Sequence, residues 1–166
     1  MTTPTIAPST IESVRKTVTV NVPQPYAFTV YTERHGSWWP LKTHHIGAQP
    51  AETAIMEPRV GGRWFERGVD GSECEWGKVL VWEPPNRIVL AWQIGANWKY
   101  DPNLITEVEV RFVAEGPMTT RVELEHRNLD RFGENAAAIR AAFNSDGGYN
   151  GILQTFVAFA EAGENR

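Results

Sequence analysis

Apolar and polar residues alternate along much of this chain, and a period of two predicts β-strands. In the segment 104–114, Val108 and Val110 lie on one side of an extended chain, and Glu109 and Arg111 lie on the other. The same pattern, bounded by Gly, Pro and Asn turns, predicts seven strands. They cover residues 11–22, 53–57, 63–69, 73–83, 87–94, 104–114 and 119–126. Strands in series with one apolar face are typical of an antiparallel meander that is covered on one side.

Three segments change to a helical period. Residues 25–31 predict a short helix with Pro25 in its first turn, and residues 136–143 favour a second helical segment that ends at 144–148. Apolar residues then recur at helical spacing and predict an amphipathic C-terminal helix: Tyr149, Ile152, Leu153, Phe156, Val157 and Ala160. We therefore predict an α+β fold, in which a curved antiparallel sheet of six or seven strands wraps around a long C-terminal helix, with two short helices after the first strand.

Composition places the chain among ordinary globular proteins. It has 166 residues, a net charge of -4 and scattered basic residues, which argues against a nucleic-acid surface. Residues 1–10 resemble a disordered leader and lack the apolar core of a secretory signal, so residues 11–166 are predicted to form one domain. The single cysteine, Cys74, favours a reducing cytoplasmic setting. No apolar run approaches the roughly 18 residues of a membrane span.

Aromatic residues give the first indication of function. Seven Trp residues in a chain of this size indicate either an aromatic core or a cavity with aromatic walls, and the sequence leaves both open. Candidate cavity residues are those that parity or position directs inward. They are Trp38, Trp39, Trp64, Glu66, Trp76, Trp92, Trp98, Tyr100, His126, Tyr149 and Phe156.

Titratable residues offer few signs of catalysis. Glu66 shares its strand face with Trp64, and His126 lies on the apolar side of its strand, so either side chain is a candidate acid or base in a cavity. His44 and His45 are adjacent and lack further ligands at metal-binding spacing. We predict that they belong to a solvated loop, that the chain has no metal site, and that no residue can be assigned a catalytic role.

Several short motifs, in their order along the chain, resemble one known family. They are the Val-rich first strand with Pro25, Trp39-Pro40, Gly61-Gly62-Arg63-Trp64, Gly77-Lys78-Val79, the Pro84-Pro85 turn with the strand that ends at Trp92, Leu124-Glu125-His126, and the terminal helix. This set is similar to the activator of heat-shock protein 90 ATPase homologue group, in the START-like (SRPBCC) helix-grip superfamily. The resemblance implies a cavity between sheet and helix and implies no cofactor. The family takes its name from a co-chaperone with an additional N-terminal domain, for which this sequence leaves no room, so a chaperone partner is not expected.

Three functions follow as hypotheses. The first is a protein that binds a small lipid-like or aromatic ligand in an apolar cavity with a few polar anchors. The second is a cyclase or hydrolase that uses His126 or Glu66 in that cavity. The third is a protein-interaction module, either a co-chaperone or a homodimer.

Overall fold

The computed structural model describes residues 11–164, so the predicted leader at residues 1–10 lies outside the described residues. Seven strands form one antiparallel sheet in the order β1-β7-β6-β5-β4-β3-β2. They are β1 (Val14–Val20), β2 (Ala51–Met56), β3 (Arg63–Gly68), β4 (Glu73–Glu83), β5 (Arg87–Trp92), β6 (Thr106–Gly116) and β7 (Thr119–Arg127). The predicted strands and the meander between β2 and β7 are confirmed.

Four α-helices complete the fold within residues 11–164. They are α1 (Gln24–Thr32), α2 (His35–Trp38), α3 (Ala136–Asn144) and α4 (Gly151–Glu164). A 3-10 segment (Leu129–Asn135) precedes α3, and a π-helical turn (Asp146–Asn150) joins α3 to α4. The α+β helix-grip prediction, with two short helices after the first strand, is therefore confirmed. Among these helices, none has both the length and the apolar character that crossing a membrane requires.

The core lies between the concave face of the sheet and α4. Phe156 of α4 is fully buried and packs edge-on against Tyr31 and Trp38, with ring centroids 5.3 and 5.2 Å apart. Val110 and Leu124, which pair across β6 and β7, are also buried. Burial of these large side chains is the main stabilising contribution of the fold, because each contributes about 1.5–3 kcal/mol.

The convex face of the sheet carries ion pairs between neighbouring strands. Glu109 on β6 accepts from Arg87 on β5, and Arg127 on β7 reaches the other Glu109 oxygen at 2.7 Å. The Glu109 side chain is only 8% exposed. Burial raises the pKa of Glu109, but the hydrogen bonds from Arg87 and Arg127 and the charge of Arg111 together outweigh burial, so the pKa lies below its usual value. The predicted assignment of Glu109 to the polar face is thus confirmed by its contacts.

Irregular pairing of β4 with β3 and β5 bends the sheet near Trp76. The register shifts between Trp64 and Phe65, and again between Val79 and Val81. Gly77 lies between these points, where a Cβ atom would come within 1.7 Å of the Ala91 carbonyl oxygen. Glycine at this position therefore lets β4 approach β5 closely where the sheet bends.

Candidate functional site

A cavity of about 570 Å³ opens between the sheet, the loop after α2 and the junction of α3 with α4. Its volume falls within the range of small-molecule pockets. Its walls are mainly aromatic and aliphatic, with hydroxyl and imidazole groups among them. They are formed by Trp39, Thr43, His44, His45, Ile46, Trp76, Trp92, Ile94, Trp98, Ala142, Phe143, Ser145, Gly147, Gly148, Tyr149 and Ile152. Within residues 11–164, no Asp, Glu, Lys or Arg contributes to this lining.

The indole N–H groups of the inner tryptophans are already paired with protein acceptors. Trp39 Nε1 donates to the His44 carbonyl at 3.0 Å, and Trp92 Nε1 donates to the Ile94 carbonyl at 3.0 Å. Trp76 Nε1 donates to Glu66 Oε1 at 2.8 Å. With these polar atoms satisfied, the rings present fixed apolar surfaces to the cavity.

Trp98 differs from the other tryptophans because it stands at the rim and is 46% exposed. Its φ of +61° is in the left-handed region, which a bulky side chain adopts at a cost of about 1 kcal/mol. Its ring lies edge-on to Phe143, with centroids 6.4 Å apart. The strained backbone holds a large aromatic group over the entrance.

Glu66 lies behind the wall and is 1% exposed. Besides Trp76, it accepts hydrogen bonds from the backbone N–H of Ile46 at 2.6 Å and of Gly47 at 3.1 Å. The carboxylate thus fixes one wall tryptophan and the backbone of the loop that carries His44 and His45. Its position on β3 beside Trp64, predicted from strand parity, gives it this reach.

His126 also lies behind the wall, where it is fully buried, and its ring stacks on Phe143 at 4.6 Å. Thr106 Oγ1 donates to the Trp92 carbonyl, so towards His126 Nε2, 2.7 Å away, it acts as acceptor. His126 therefore carries its proton on Nε2, and the Tyr149 hydroxyl donates to Nδ1 at 2.9 Å. Burial lowers the pKa of His126 to about 3, so this histidine is a neutral acceptor for Tyr149.

The sequence matches the model of a known protein family. The model of the family "Activator of Hsp90 ATPase homolog 1-like protein" matches residues 21–159. The chain belongs to this family. The resemblance stated from the sequence motifs is thereby confirmed.

Solved structures with the helix-grip fold are similar to this family member. The anthrahydroquino-γ-pyrone synthase Txn09 is 37% identical, with a TM-score of 0.63, covering 89% of this chain and 96% of its own. The self-sacrificing resistance protein CalC from Micromonospora echinospora is 29% identical, with a TM-score of 0.69, covering 93% and 97%. An HSP90 activator from Plasmodium falciparum is 19% identical, with a TM-score of 0.55, covering 89% and 96%, and shows the fold alone. A search of functionally curated proteins found no match.

The structure brings some of the sequence candidates of this family member together and separates others. Those that line the cavity are Trp39, Trp76, Trp92, Trp98 and Tyr149. Those that lie elsewhere are Trp38, Trp64 and Phe156 in the core, Glu66 and His126 behind the wall, and Tyr100, which is 41% exposed. The polar atoms of Glu66 and His126 are occupied, so the geometry does not support the hypothesis that either acts directly as acid or base.

His44 and His45 lie in a loop, as predicted, but the loop is not simply solvated. Both are half-buried and line the cavity, and His44 Nε2 donates to the Gly147 carbonyl at 2.7 Å, across its entrance. The loop lacks any periodicity, so sequence patterns gave no sign of this contact. The remaining lining residues were also missed: Thr43, Ile46, Ile94, Ala142, Phe143, Ser145, Gly147, Gly148 and Ile152. Only the interruption at residues 144–148 marked one side of the entrance.

Replacing Tyr149 with phenylalanine is expected to lower the free energy of unfolding by about 1–2 kcal/mol, because His126 Nδ1 loses its donor while buried. Urea unfolding at pH 8 measures the loss. Tyr100→Phe is the control, since Tyr100 is exposed, and it should leave the stability unchanged. Equal stabilities for the two variants would contradict the assigned hydrogen-bond chain.

Proposed function

We propose that this protein binds a flat, aromatic, uncharged small molecule in the cavity. The observation that carries the proposal is the set of four tryptophans around an open volume of about 570 Å³: Trp39, Trp76, Trp92 and Trp98. Indole faces stack favourably on planar rings, and each such contact adds about 0.5–1.5 kcal/mol beyond burial of area. A filled aromatic core would leave no such volume.

The polar groups of the lining narrow the ligand further. The lining supplies hydroxyl and imidazole groups from Thr43, His44, His45 and Ser145. Among residues 11–164, no Lys or Arg lines the cavity, so no permanently charged side chain there balances a ligand carboxylate or phosphate. A few polar groups in an apolar pocket fix the orientation of a ligand. Ring systems that carry hydroxyl or carbonyl groups fit this arrangement better than fatty acids or phosphate esters.

The similarity to Txn09 supports this choice and favours a second candidate function. A synthase of an anthrahydroquino-γ-pyrone handles a polycyclic aromatic compound, and it is 37% identical over most of both chains. We therefore also propose that this protein acts on its aromatic ligand by acid–base chemistry. Co-chaperone activity receives less support, since the HSP90 activator is similar in fold alone.

Replacing Ala142 with tryptophan is expected to lower the affinity for a hydroxyanthraquinone at least tenfold, a loss of about 1.4 kcal/mol. Ala142 is exposed on α3 and lines the entrance, so a large side chain can occupy the cavity without disturbing the core. Quenching of tryptophan fluorescence during titration with the ligand measures the affinity.

Ala141→Trp is the matched control, because Ala141 is exposed on the same helix and does not line the cavity. It adds the same fluorophore and should retain the affinity of the unchanged protein. If the unchanged protein binds no planar aromatic compound, or if both variants bind equally well, the proposed cavity is not the binding site.

A further inference from the structure

The four histidines of the chain differ in which ring nitrogens are free. His35 donates from Nδ1 to the Tyr31 carbonyl and accepts at Nε2 from Trp64 Nε1. His126 uses both nitrogens, as described above. In His44, Nε2 donates to the Gly147 carbonyl and Nδ1 pairs with the Thr43 hydroxyl at 2.7 Å. Each of these three imidazoles is therefore fully engaged within the protein.

His45 is different. Its Nδ1 lies 3.1 Å from the Gly47 carbonyl oxygen, and since a carbonyl oxygen only accepts, Nδ1 carries the proton. In the neutral ring, Nε2 is then an unprotonated acceptor. Within residues 11–164 no group hydrogen-bonds to Nε2, and His45 lines the cavity. Its Nε2 is the one imidazole lone pair in this lining that remains open to a ligand.

A buried carboxylate lies behind this imidazole. Glu66 Oε2 is 3.9 Å from His45 Nδ1, and the Glu66 side chain is 2% exposed. Opposite charges at this distance attract more strongly in a half-buried site than in water. Glu66 also holds the backbone of Ile46 and Gly47, so it fixes the loop that positions His45.

Few other groups can alter the charge of His45. Cys74 on β4 lies close to Gly47 and Glu66, and burial, together with the Glu66 charge, raises the pKa of its thiol, so the thiol stays protonated near neutral pH. In the same loop, His44 has both ring nitrogens engaged, and Lys42 is exposed and outside the cavity lining. Glu66 is therefore the charge that faces His45 from the sheet.

We propose that His45 is the general base of the cavity and that it acts on a phenolic or enolic hydroxyl of the bound aromatic ligand. This inference rests on the proposed binding function. In the step, the ligand O–H bond breaks and its electron pair stays on oxygen, while the proton forms a bond to His45 Nε2. The products are a bound phenolate and an imidazolium whose charge Glu66 stabilises. Glu66 acts as a positioning residue, and no oxidant or other reactant is needed.

2-Hydroxyanthraquinone, whose single hydroxyl is largely un-ionised at pH 7 and whose colour changes on ionisation, serves as the probe. Fluorescence quenching first establishes binding, and visible absorption spectra across a pH series then give the phenol pKa of the bound dye. We expect the protein to lower that pKa by about one unit, a tenfold change in the ionisation constant. His45→Gln, measured at a dye concentration that saturates the variant, should abolish the shift. Lys42→Gln, exposed in the same loop and outside the cavity lining, should retain it.

A second measurement uses the unchanged protein and does not depend on the folding of a variant. The nitrogen-15 NMR signals of the His45 ring should change from the neutral to the imidazolium pattern when 2-hydroxyanthraquinone binds at pH 7. A bound dye without a pKa shift, a shift that survives His45→Gln, or a ring that stays neutral would each overturn the inference while leaving the binding function intact. Absence of quenching would instead overturn the binding function itself.

Discussion

At pH 5 the free energy of unfolding is expected to be about 4 kcal/mol lower than at pH 8, because two buried histidines stay neutral in the folded protein. Burial lowers the pKa of His35 to about 4, although its hydrogen bond to the Tyr31 carbonyl opposes the shift. Burial alone lowers the pKa of His126 to about 3. Both rings are fully enclosed, so solvent screens these effects little.

The sign of this pH dependence follows from which state, folded or unfolded, binds more protons. In the unfolded chain both histidines titrate near 6.5, and in the folded chain they titrate well below this value. Between these limits the unfolded state binds more protons, so stability is complete above pH 6.5 and falls as the pH falls towards 4 and 3. Each histidine contributes about 1.4 kcal/mol per pH unit, which gives about 2 kcal/mol each at pH 5.

Urea unfolding at pH 8, 7, 6 and 5 tests this expectation. The variants His35→Gln and His126→Gln should each be less stable at pH 8 and should each show about half of the original slope against pH. Leu153→Ala is the matched control, because it removes a buried side chain that does not titrate and should lower the curve while keeping its slope. A slope that is unaffected by both histidine substitutions would show that other groups produce the acid sensitivity.

The strands were predictable because their pattern depends on local sequence. Alternation of apolar and charged residues gives β6 and β7 the same inward faces that the structure shows, and Val110 pairs with Leu124 as a result. The order of strands and helices predicted a sheet that wraps around the last helix, and the family resemblance implied the same fold. Periodicity also placed Trp64 and Glu66 on one face, where both contact Trp76.

The site was less predictable because its geometry depends on contacts between distant segments. Trp38 and Trp39 are adjacent, but Trp38 packs in the core against Phe156, whereas Trp39 faces the cavity. The loop that carries His45 has no pattern of its own, and a carboxylate about twenty positions away on β3 holds it. Alternation indicated that His126 points inward, but its partners Thr106 and Tyr149 come from other elements.

Replacing Glu66 with leucine is expected to lower the free energy of unfolding by about 4 kcal/mol. The carboxylate is the acceptor for three N–H groups, those of Trp76, Ile46 and Gly47. Each donor that loses its partner away from water costs about 1–3 kcal/mol, and the buried indole of Trp76 has the least access to solvent. Urea unfolding at pH 8 measures the loss, and hydrogen exchange at the Ile46 and Gly47 amides should become faster than in the unchanged protein.

Glu66→Gln separates the loss of acceptors from the loss of shape. The amide keeps the size of the side chain and one carbonyl oxygen, so it should retain part of the interaction and cost about half as much as leucine. Glu52→Gln on β2 is the control for charge, since Glu52 is exposed, and it should leave stability and exchange unchanged. If Glu66→Leu were as stable as the unchanged protein, the carboxylate would not be what holds the loop, and the loop bearing His45 would have to be positioned by its contacts with Trp39 and Gly147 alone.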